Sequence, residues 1–470
     1  MVRWPAVLIL AATGVAAQQA PPPSPPAAMD SARLAQILGL LKTSDTTVCE
    51  LAGQALANSW GFPWQERPFP TPMPMPMPTP MPMPMAMRMD IRIPHFKIPH
   101  VHVGWRHRFG TVTALGAYRT VLRDDSRCVR NIAARALGRA HASGSLEAFR
   151  ALLKDASPGL RETGALGLGE LDDNQGLPAL REALKDRDAA VRAMAARGLG
   201  ELQDSMSIDA VTNALGDEAV AVRVAAAWSL GEINEPRAID PLRKALQDRE
   251  PEVRTMAAWA LGQIASGGAV AALGAALKDP APGVRRAAAW ALGQIEDAAG
   301  VELLVPLLRD HDWEVRLVAA HALGQIESVR AVSALAPVMH DDVAEVKRAA
   351  IWALGQIEDP SAVAPLSVAL KDSDPGTRQL AAWALGQIED ASAVDPLVAA
   401  LKDREPEVRV AAAWALGQIE STRAIEPLKT ALTDEAGEVR SAARWALAQL
   451  DSEYEPHRRV KVRPRVRNRI

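Results

Sequence analysis

The chain has 470 residues, of which 48% are apolar and 23% charged, a composition that allows a large buried core and excludes a mainly disordered chain. The formal net charge of −3 conceals an asymmetry, because residues 458–470 carry seven Arg and Lys and no acidic residue. Two cysteines are too few for a disulfide-built scaffold and form no CxxC metal pair.

The N-terminal residues 1–17 have the pattern of a secretory signal. Arg3 precedes the apolar stretch Pro5–Ala12, and Val15 and Ala17 stand at the −3 and −1 positions of a cleavage site. The alternative, a buried N-terminal strand or helix, is disfavoured by the Pro-rich linker that follows at residues 18–30. The sequence predicts an exported protein, periplasmic or secreted, with no transmembrane segment in the mature chain.

An internal repeat dominates the rest of the sequence. A Leu-Gly pair recurs every 31 residues from Leu137-Gly138 to Leu416-Gly417. One further copy follows, and a weaker copy lies upstream of the pairs. The pattern predicts a first divergent repeat at residues 31–60, an insertion at residues 61–110, and eleven repeats at residues 111–450.

Each repeat reads as a helical hairpin. Val253, Ala257 and Leu261 fall on one face at helical spacing, and a similar apolar stripe occupies the segment before them. A turn lies between the two, and proline takes the first helical position at Pro158, Pro251, Pro282, Pro375 and Pro406. Because one hairpin cannot bury its apolar stripe, the predicted fold is all-α, a right-handed α-solenoid of about twelve 31-residue hairpins with a Pro/Met-rich irregular insertion after the first.

Charged residues recur with the same period. An Asp stands six residues before an Arg or Lys in eleven units, from Asp124 and Arg130 to Asp434 and Arg440. A catalytic pair would not be copied eleven times. We expect each Asp to cap a turn and to pair with an Arg of its own or the next repeat.

The repeat resembles a known family. The 31-residue unit, the Asp and Arg six residues apart, and the segment VRTMAAWALGQI at Val253–Ile264 are similar to the HEAT-like repeats named after phycobilisome lyases. The resemblance implies a scaffold that binds other proteins. Of two enzyme branches, the iron hydroxylases carry His-Glu pairs, which this sequence lacks, and the bilin lyases work in the cytoplasm of photosynthetic cells, which conflicts with export.

Tryptophan occupies one repeated position on the second helix, six residues after the core Val, and Gln follows four residues later. Two interpretations remain open: the indoles seal the stack, or they present an aromatic strip to a partner on the concave face. His321 takes the position in one repeat. The candidate partner-binding residues are Trp228, Trp259, Trp290, Trp352, Trp383, Trp414, Trp445, Gln263, Gln294, Gln325, Gln356, Gln387 and Gln418.

The insertion is rich in Pro, Met and His. Alternating prolines favour an extended, exposed spacer. The alternative is copper binding, because Met sulfur prefers Cu(I) and imidazole suits Cu(II). The candidate ligands are Met73, Met75, Met77, Met81, Met83, Met85, His95, His100 and His102.

The C-terminal tail comprises residues 451–470, and its part His457–Ile470 alternates basic and apolar residues. We expect a solvated tail that touches an acidic surface. Nucleic acid is not an expected partner, because the protein is predicted to be exported and the final stretch contains no aromatic residue to stack on bases.

The two cysteines, Cys49 and Cys128, are neighbours in the sequence of the core residues Val48 and Val129. If the first two repeats stack across the insertion, the turns that carry these cysteines become adjacent. The sequence therefore suggests one disulfide between them, and two free buried thiols are the alternative.

The predicted function is that of a non-enzymatic, exported scaffold that binds a protein or peptide partner along its concave face. It has no predicted catalytic residues and no cofactor. The alternatives are copper handling through the insertion and an enzyme accessory similar to the lyase-type repeat proteins. The sequence names neither the partner nor the oligomeric state.

Overall fold

The structure, a computed structural model, describes Leu38 and residues 112–450. The chain divides into two compact units, whose described parts are Leu38 with residues 112–133 and residues 134–450. Within these residues the secondary structure is helical, without a strand. The predicted signal segment, linker, insertion and tail lie outside the described residues, as does the first repeat apart from Leu38.

The first unit contains α1 (Val112–Thr120) and the start of α2 (Arg127–Arg139). Arg130 closes the turn between these helices, because its Nη1 donates hydrogen bonds to the backbone carbonyls of Asp124 (2.7 Å) and Asp125 (2.8 Å). The predicted Asp and Arg six residues apart therefore meet within one turn.

Ten helical hairpins fill the second unit, each with a short first helix and a longer second helix. The first helices are α3 (Ser145–Leu152), α5 (Leu177–Ala183), α7 (Ile208–Ala214), α9 (Ile239–Ala245), α11 (Val270–Ala276), α13 (Gly300–Leu304), α15 (Val332–Leu335), α17 (Val363–Ala369), α19 (Val394–Ala400) and α21 (Ile425–Ala431). The second helices are α4 (Pro158–Glu170), α6 (Ala189–Glu201), α8 (Val220–Ile233), α10 (Pro251–Ile264), α12 (Pro282–Ile295), α14 (Trp313–Ile326), α16 (Ala344–Ile357), α18 (Pro375–Ile388), α20 (Pro406–Ile419) and α22 (Gly437–Leu450). Among the helices described in residues 112–450, none is long and apolar enough to cross a membrane.

Proline begins five of the second helices, as the sequence predicted. It is the first residue of α4, α10, α12, α18 and α20. Its fixed φ suits a first helical residue, and its missing N–H leaves no helical hydrogen bond unmade. The prolines therefore fix where these helices start.

The second helices pack directly on one another and form one layer of the unit, while successive first helices make fewer contacts. Val253, Ala257 and Leu261 of α10 are fully buried. Small residues allow the helices to approach closely: a Cβ added at Gly169 would lie 2.8 Å from the Cα of Gly198 in the next helix. The repeated Gly and Ala of the sequence thus set the helix spacing in this layer.

Two of the first helices are interrupted by proline. Pro306 and Pro337 follow α13 and α15, and the chain continues there as 3-10 helix. In α9, by contrast, Pro241 lies in the first turn and the helix continues. An interior proline removes a helical hydrogen bond, whereas one in the first turn does not. A groove of about 430 Å³ lies between the two interrupted segments, with Val305 and Val338 among its lining residues.

One residue just after each second helix, up to α20, has a positive φ: it is the second residue after α2, α4 and α6 and the first residue after the later helices. These residues recur every 31 positions with φ between 44° and 55°: His141, Asp172, Gln203, Asn234, Ala265, Glu296, Glu327, Glu358, Glu389 and Glu420. Glycine or asparagine is usual at such a helix end. Local preference therefore does not predict glutamate at this position in five successive repeats. Hydrogen bonds that close the helix support the conformation, as from the Ala265 N–H to the carbonyls of Leu261 and Gly262.

A chain of Asp and Arg side chains links successive repeats. Nε and Nη2 of Arg254 donate to Oδ2 and Oδ1 of Asp279 in the next repeat (2.6 and 2.9 Å), and its Nη1 donates to the carbonyl of Asp248 in its own turn (2.8 Å). The nine residues that bind the Asp 25 positions later are Arg161, Arg192, Arg223, Arg254, Arg285, Arg316, Lys347, Arg378 and Arg409. The prediction that each Asp meets an Arg of its own or the next repeat was wrong for the carboxylate, which is bound by the Arg of the preceding repeat. The Arg of its own turn binds a backbone carbonyl instead, as Nη1 of Arg285 does with Asp279 (2.9 Å).

Each of these Asp residues also caps its turn. Oδ1 of Asp186, for example, accepts a hydrogen bond from the backbone N–H of Asp188 (2.8 Å). The hydrogen bonds from Arg161 lower the pKa of the Asp186 carboxyl, although burial opposes the effect. The recurring charges therefore serve the stack of repeats.

Candidate functional site

The candidate site is the tryptophan row, which consists of seven Trp at one position of the second helices. They are Trp228 (α8), Trp259 (α10), Trp290 (α12), Trp352 (α16), Trp383 (α18), Trp414 (α20) and Trp445 (α22). Trp228 is only 3% exposed, whereas the other six are half-buried. A half-buried indole contributes to the core and offers a surface at the same time.

Six of these indoles contact the glycine of the preceding second helix. A Cβ added at Gly262 would lie 2.7 Å from Cζ3 of Trp290 and 2.8 Å from the Cα of Ala291, and Gly386 stands in the same relation to Trp414 and Ala415. Only glycine leaves room for the ring edge and the neighbouring backbone. In these six repeats the glycine of the Leu-Gly pair is therefore explained by the indole of the following repeat.

This geometry combines the two interpretations of the row. The edge of each ring that carries Cζ3 lies against the preceding helix, while part of the side chain stays at the surface. The Gln residues beside the row, such as Gln356 and Gln387, are half-buried. The face of the second helices thus presents alternating indole and amide groups, the chemistry common at protein interfaces.

The row is interrupted at His321 in α14. The imidazole is 5% exposed, and its centroid lies 5.0 Å from that of Trp352. Its Nε2 is buried without a hydrogen-bond partner, and so is Oε1 of Gln325, one turn later. Burial lowers the pKa of His321 to about 4, so the ring is neutral at pH 7.

Gln325 also takes the place of an indole in the contact with the glycine of the preceding second helix. A Cβ added at Gly293 would meet Oε1 of Gln325, where the corresponding glycines of six other helices meet the Cζ3 of a Trp. An amide oxygen thus occupies an apolar position without a donor, which is unfavourable by about 1–3 kcal/mol.

A second feature of this face is its cation–π contact. Arg197 occupies the Trp position in α6, and its guanidinium carbon lies 5.3 Å from the ring centroid of Trp228. Nε of Arg197 also lies 3.7 Å from Oε1 of Glu201, four residues later. The row therefore already holds one cation against an indole, in a geometry that is favourable for both groups.

Acidic residues follow three successive second helices. The glutamates that follow α12, α14 and α16 are Glu296, Glu327 and Glu358, all exposed. Although the Glu327 side chain is largely exposed, the desolvation of its partly covered carboxyl and the charges of Glu296 and Glu358 raise the pKa of that carboxyl. These three glutamates therefore act on one another across successive second helices.

The fold and this face now permit comparison with known proteins. The profile of the HEAT repeats matches residues 117–189, 177–262, 239–312, 270–354, 301–374, 338–403 and 363–448. The chain is a HEAT-repeat protein. The sequence resemblance to this class of repeats is thereby confirmed, as is the all-α fold of stacked hairpins.

Solved structures similar to this HEAT-repeat protein include an engineered protein (26% identity, 66% of this chain and 99% of that chain, TM-score 0.42). A chain from a structure of Kap95p binding to RanGDP has 16% identity over 90% of this chain and 61% of its own length, with a TM-score of 0.52. The complex of CpcE and CpcF of phycocyanin lyase from Nostoc sp. PCC7120 shows 24% identity over 53% of this chain and 96% of that chain, with a TM-score of 0.32. The second likeness supports the fold alone. A search of curated proteins found no significant match.

The other predicted sites of the HEAT-repeat protein lie largely outside the described residues. This applies to every Met and His proposed as a copper ligand and to Cys49. Within the part that the structure describes, no group of three or more His, Cys, Asp or Glu is placed to hold a metal ion. Cys128 is disulfide-bonded, and its pairing with Cys49 stays a prediction.

Sequence reasoning missed two features of the HEAT-repeat face. The five glutamates at positive φ were readable as a 31-residue period, but glutamate is not a residue that signals such a backbone conformation. The unpaired Gln325 carries no sequence signal, because glutamine occupies the same position in its neighbours. The surroundings of Gln325 differ from those of the other glutamines because His321, and not Trp, occupies the row position in the same helix.

Proposed function

We propose that the protein is a non-enzymatic scaffold that binds a protein or peptide partner along the face of its second helices. HEAT repeats generally mediate protein interactions. The observation that carries the proposal is the tryptophan row. It consists of six half-buried indoles at one repeated position, and a Gln side chain follows each Trp four residues later. Aromatic side chains at a surface supply much of the binding energy of protein interfaces.

The use of the charged residues supports a binding role over a catalytic one. The Asp and Arg that recur through the stack are engaged with each other and with turn carbonyls, as Arg254 is with Asp279 and Asp248. Their carboxylates and guanidinium groups link repeats, which is a structural task.

The test is a selection of peptides from a random display library on the full chain, followed by titration of the selected peptides into variants. The double variant Gln356→Arg/Gln387→Arg adds bulk and charge beside the row without removing an indole contact. We expect it to weaken binding at least tenfold. The matched control is Val368→Arg, because Val368 is 58% exposed on a first helix, and it should bind like the wild type. Equal binding by all three proteins contradicts the proposal.

Export is part of the same proposal. It is supported by the apolar stretch and the cleavage-site pattern in residues 1–17. Mass spectrometry of the protein recovered from outside the cytoplasm should show a chain that begins at Gln18. A chain that retains Met1 contradicts export by this route.

A further inference from the structure

The series of Asp and Arg side chains that links successive repeats has an open end in α22. In the preceding repeats Nε and Nη2 of the arginine, which form the fork of the guanidinium, hold the Asp 25 residues later. Arg409 holds Asp434 in this way with two hydrogen bonds of 2.8 Å. Arg440 is the last member of the series, and the position 25 residues later is an arginine, Arg465. Among the described residues, the fork of Arg440 has no acceptor.

Arg440 is anchored in the same way as its counterparts. Its Nη1 donates to the backbone carbonyls of Asp434 (2.7 Å) and Glu435 (2.9 Å), as Nη1 of Arg409 does in its own turn. The guanidinium is planar and rigid, so two hydrogen bonds at Nη1 also restrict the directions in which Nε and Nη2 point. The fork is therefore in place before a ligand arrives.

The acidic groups of the last turn do not fill this fork. The carboxylate of Asp434 accepts hydrogen bonds from Arg409 and caps its own turn. Glu435 is exposed and lies 3.6 Å from Nη2 of Arg409. Within the described part of the chain, neither Glu435 nor Glu438 forms an ion pair with Arg440. The fork is thus available to a carboxylate from another segment.

The face of α22 beside the fork is less covered than the same face of the preceding helices. Leu416 of α20 is fully buried, whereas its equivalent in α22, Leu447, is half-buried. Arg444 is exposed and takes the position at which α20 has the fully buried Ala413. A polar outer face of this kind is typical of a terminal repeat. Arg444 also places a second positive charge one helical turn after Arg440.

These features select an acidic side chain as the ligand. Two parallel N–H donors match the two oxygens of a carboxylate, and the same fork binds a carboxylate between Arg378 and Asp403 (2.7 and 2.8 Å). Ion pairs at a surface are usually weak, because two mobile side chains must be ordered. Arg440 is ordered in advance, so a smaller loss of entropy opposes binding.

Neither the tail of the chain nor a second copy is the expected occupant. Residues 458–470 carry seven Arg and Lys and no acidic side chain, so they do not complement Arg440 and Arg444. A second copy stacked like an internal repeat would meet Ala448 where the preceding helix has Gly417. A Cβ at Gly417 would lie 2.8 Å from the backbone of the next helix. The expected occupant is therefore an acidic segment of a different protein.

We propose that the fork of Arg440, at the open end of the Asp and Arg series, binds an Asp or Glu side chain of a partner protein. The partner segment lies along the exposed face of α22, where a second carboxylate pairs with Arg444. The site goes beyond the proposed function, because it does not use the Trp and Gln positions of the row.

The experiment uses the full chain labelled with ¹⁵N at the arginine Nε and the probe N-acetyl-aspartate methylamide. The Nε–H signal of Arg440 should shift saturably, whereas that of Arg409, whose fork is filled, should not. The matched control is Arg309, an exposed arginine with no hydrogen bond to another described residue; its apparent dissociation constant should be at least fivefold higher. N-acetyl-asparagine methylamide has the same shape without the charge and should leave Arg440 unshifted. Equal responses of Arg440 and Arg309, or equal binding of the two probes, overturn the proposal.

Variants extend the test to a polypeptide ligand. Peptides selected on the full chain should include a class with an essential Asp or Glu. Arg440→Lys keeps the charge without the fork and should weaken this class at least fivefold, and Arg440→Gln should weaken it at least tenfold. Arg309→Gln should bind like the wild type. Equal binding by all four proteins overturns the proposal, and the two probes on the wild type decide it even if the variants at Arg440 lose the last hairpin.

Two further measurements identify the occupant. The triple variant Asp451→Asn/Glu453→Gln/Glu455→Gln should bind the aspartate probe like the wild type; a gain of fivefold or more assigns the fork to a carboxylate of the chain itself and overturns the proposal. A concentration-dependent dimer that is lost in Arg440→Gln, measured by sedimentation, assigns the fork to a second copy and overturns it too.

The outcome is separable from that of the proposed function. If the peptides that need Arg440 still bind the Gln356→Arg/Gln387→Arg variant, and no peptide is weakened by that variant, the fork site stands and the proposed face is wrong. If peptides bind the row but neither they nor the aspartate probe respond to Arg440, the scaffold function stands and the fork site is wrong.

Discussion

Replacing Gly386 by Ala should destabilise the stack, although the same change stabilises most helices. The new Cβ would lie 2.7 Å from Cζ3 of Trp414 and 2.8 Å from the Cα of Ala415. In a helix interior, Ala is favoured over Gly by about 1 kcal/mol. Overpacking typically costs about 1–3 kcal/mol, and we expect the upper value because one contact is with the backbone of a packed helix. The expected net loss is about 2 kcal/mol.

The matched control is Gly283→Ala in the first turn of α12. The nearest atom to its new Cβ is Oγ1 of Thr255 at 3.7 Å, an ordinary contact. This variant should be as stable as the wild type or slightly more stable. Urea unfolding followed by far-UV circular dichroism gives the free energy of unfolding of both variants.

A double-mutant cycle separates the ring from the backbone. In a Trp414→Ala background the ring contact is gone, so Gly386→Ala should cost less than in the wild type by about 1 kcal/mol, a typical coupling between residues in contact. The reasoning is refuted if Gly386→Ala is stabilising like Gly283→Ala, because the indole and the neighbouring helix then do not occupy the space beside Gly386.

Four further predictions follow from the structure and the sequence. Lys347 makes one hydrogen bond to Asp372 (3.2 Å), whereas the arginines at the corresponding positions make two. Lys347→Arg should therefore raise the free energy of unfolding by about 1 kcal/mol, and an unchanged urea midpoint contradicts this. Burial lowers the pKa of His321 from 6.5 to about 4, so the unfolded chain binds a proton at His321 before the folded protein does, and the free energy of unfolding falls by about 3 kcal/mol as the pH falls from 6.5 to 4. Between pH 7 and pH 4, urea unfolding should therefore show a loss of stability in the wild type that exceeds the loss in His321→Trp by that amount. Equal losses in the two proteins rule the effect out. Thiol titration of the denatured, non-reduced protein should find no free thiol if Cys49 and Cys128 are paired, and two per chain exclude the bond. Deletion of residues 73–107 should leave the unfolding curve unchanged, and a micromolar or tighter Cu(I) affinity lost with that deletion would replace the spacer interpretation by metal handling.

Much of the fold was predictable because the sequence repeats itself. A period of 31 residues, an apolar stripe at helical spacing and a proline at the start of the second helix all indicate the same hairpin, and eleven copies leave little ambiguity. The helix that the pattern predicts around Val253–Ile264 is observed as Pro251–Ile264. The Asp and Arg periodicity likewise predicted a contact between neighbours, since identical spacing in each repeat brings the same side chains together.

The candidate site was predictable only as a row. Sequence position places Trp290 on the second helix, but the sequence does not show how far the ring is buried, because that depends on the distance to the preceding second helix. The structure supplies this distance through Gly262, against which the indole edge packs.

The sequence by itself determined the repeat, the hairpin and the positions of the turns, because each depends on local preference or on a period that every copy shares. It showed that the recurring charges pair, but only the structure showed that each Asp binds the Arg or Lys of the preceding repeat. Tertiary structure alone decided that the tryptophan row is half-buried and that His321 and Gln325 are left with unpaired atoms. Burial and pairing are properties of what neighbouring helices place around a side chain. Gln325 has the same local sequence as the other glutamines of its row, and it differs only because the ring beside it is missing.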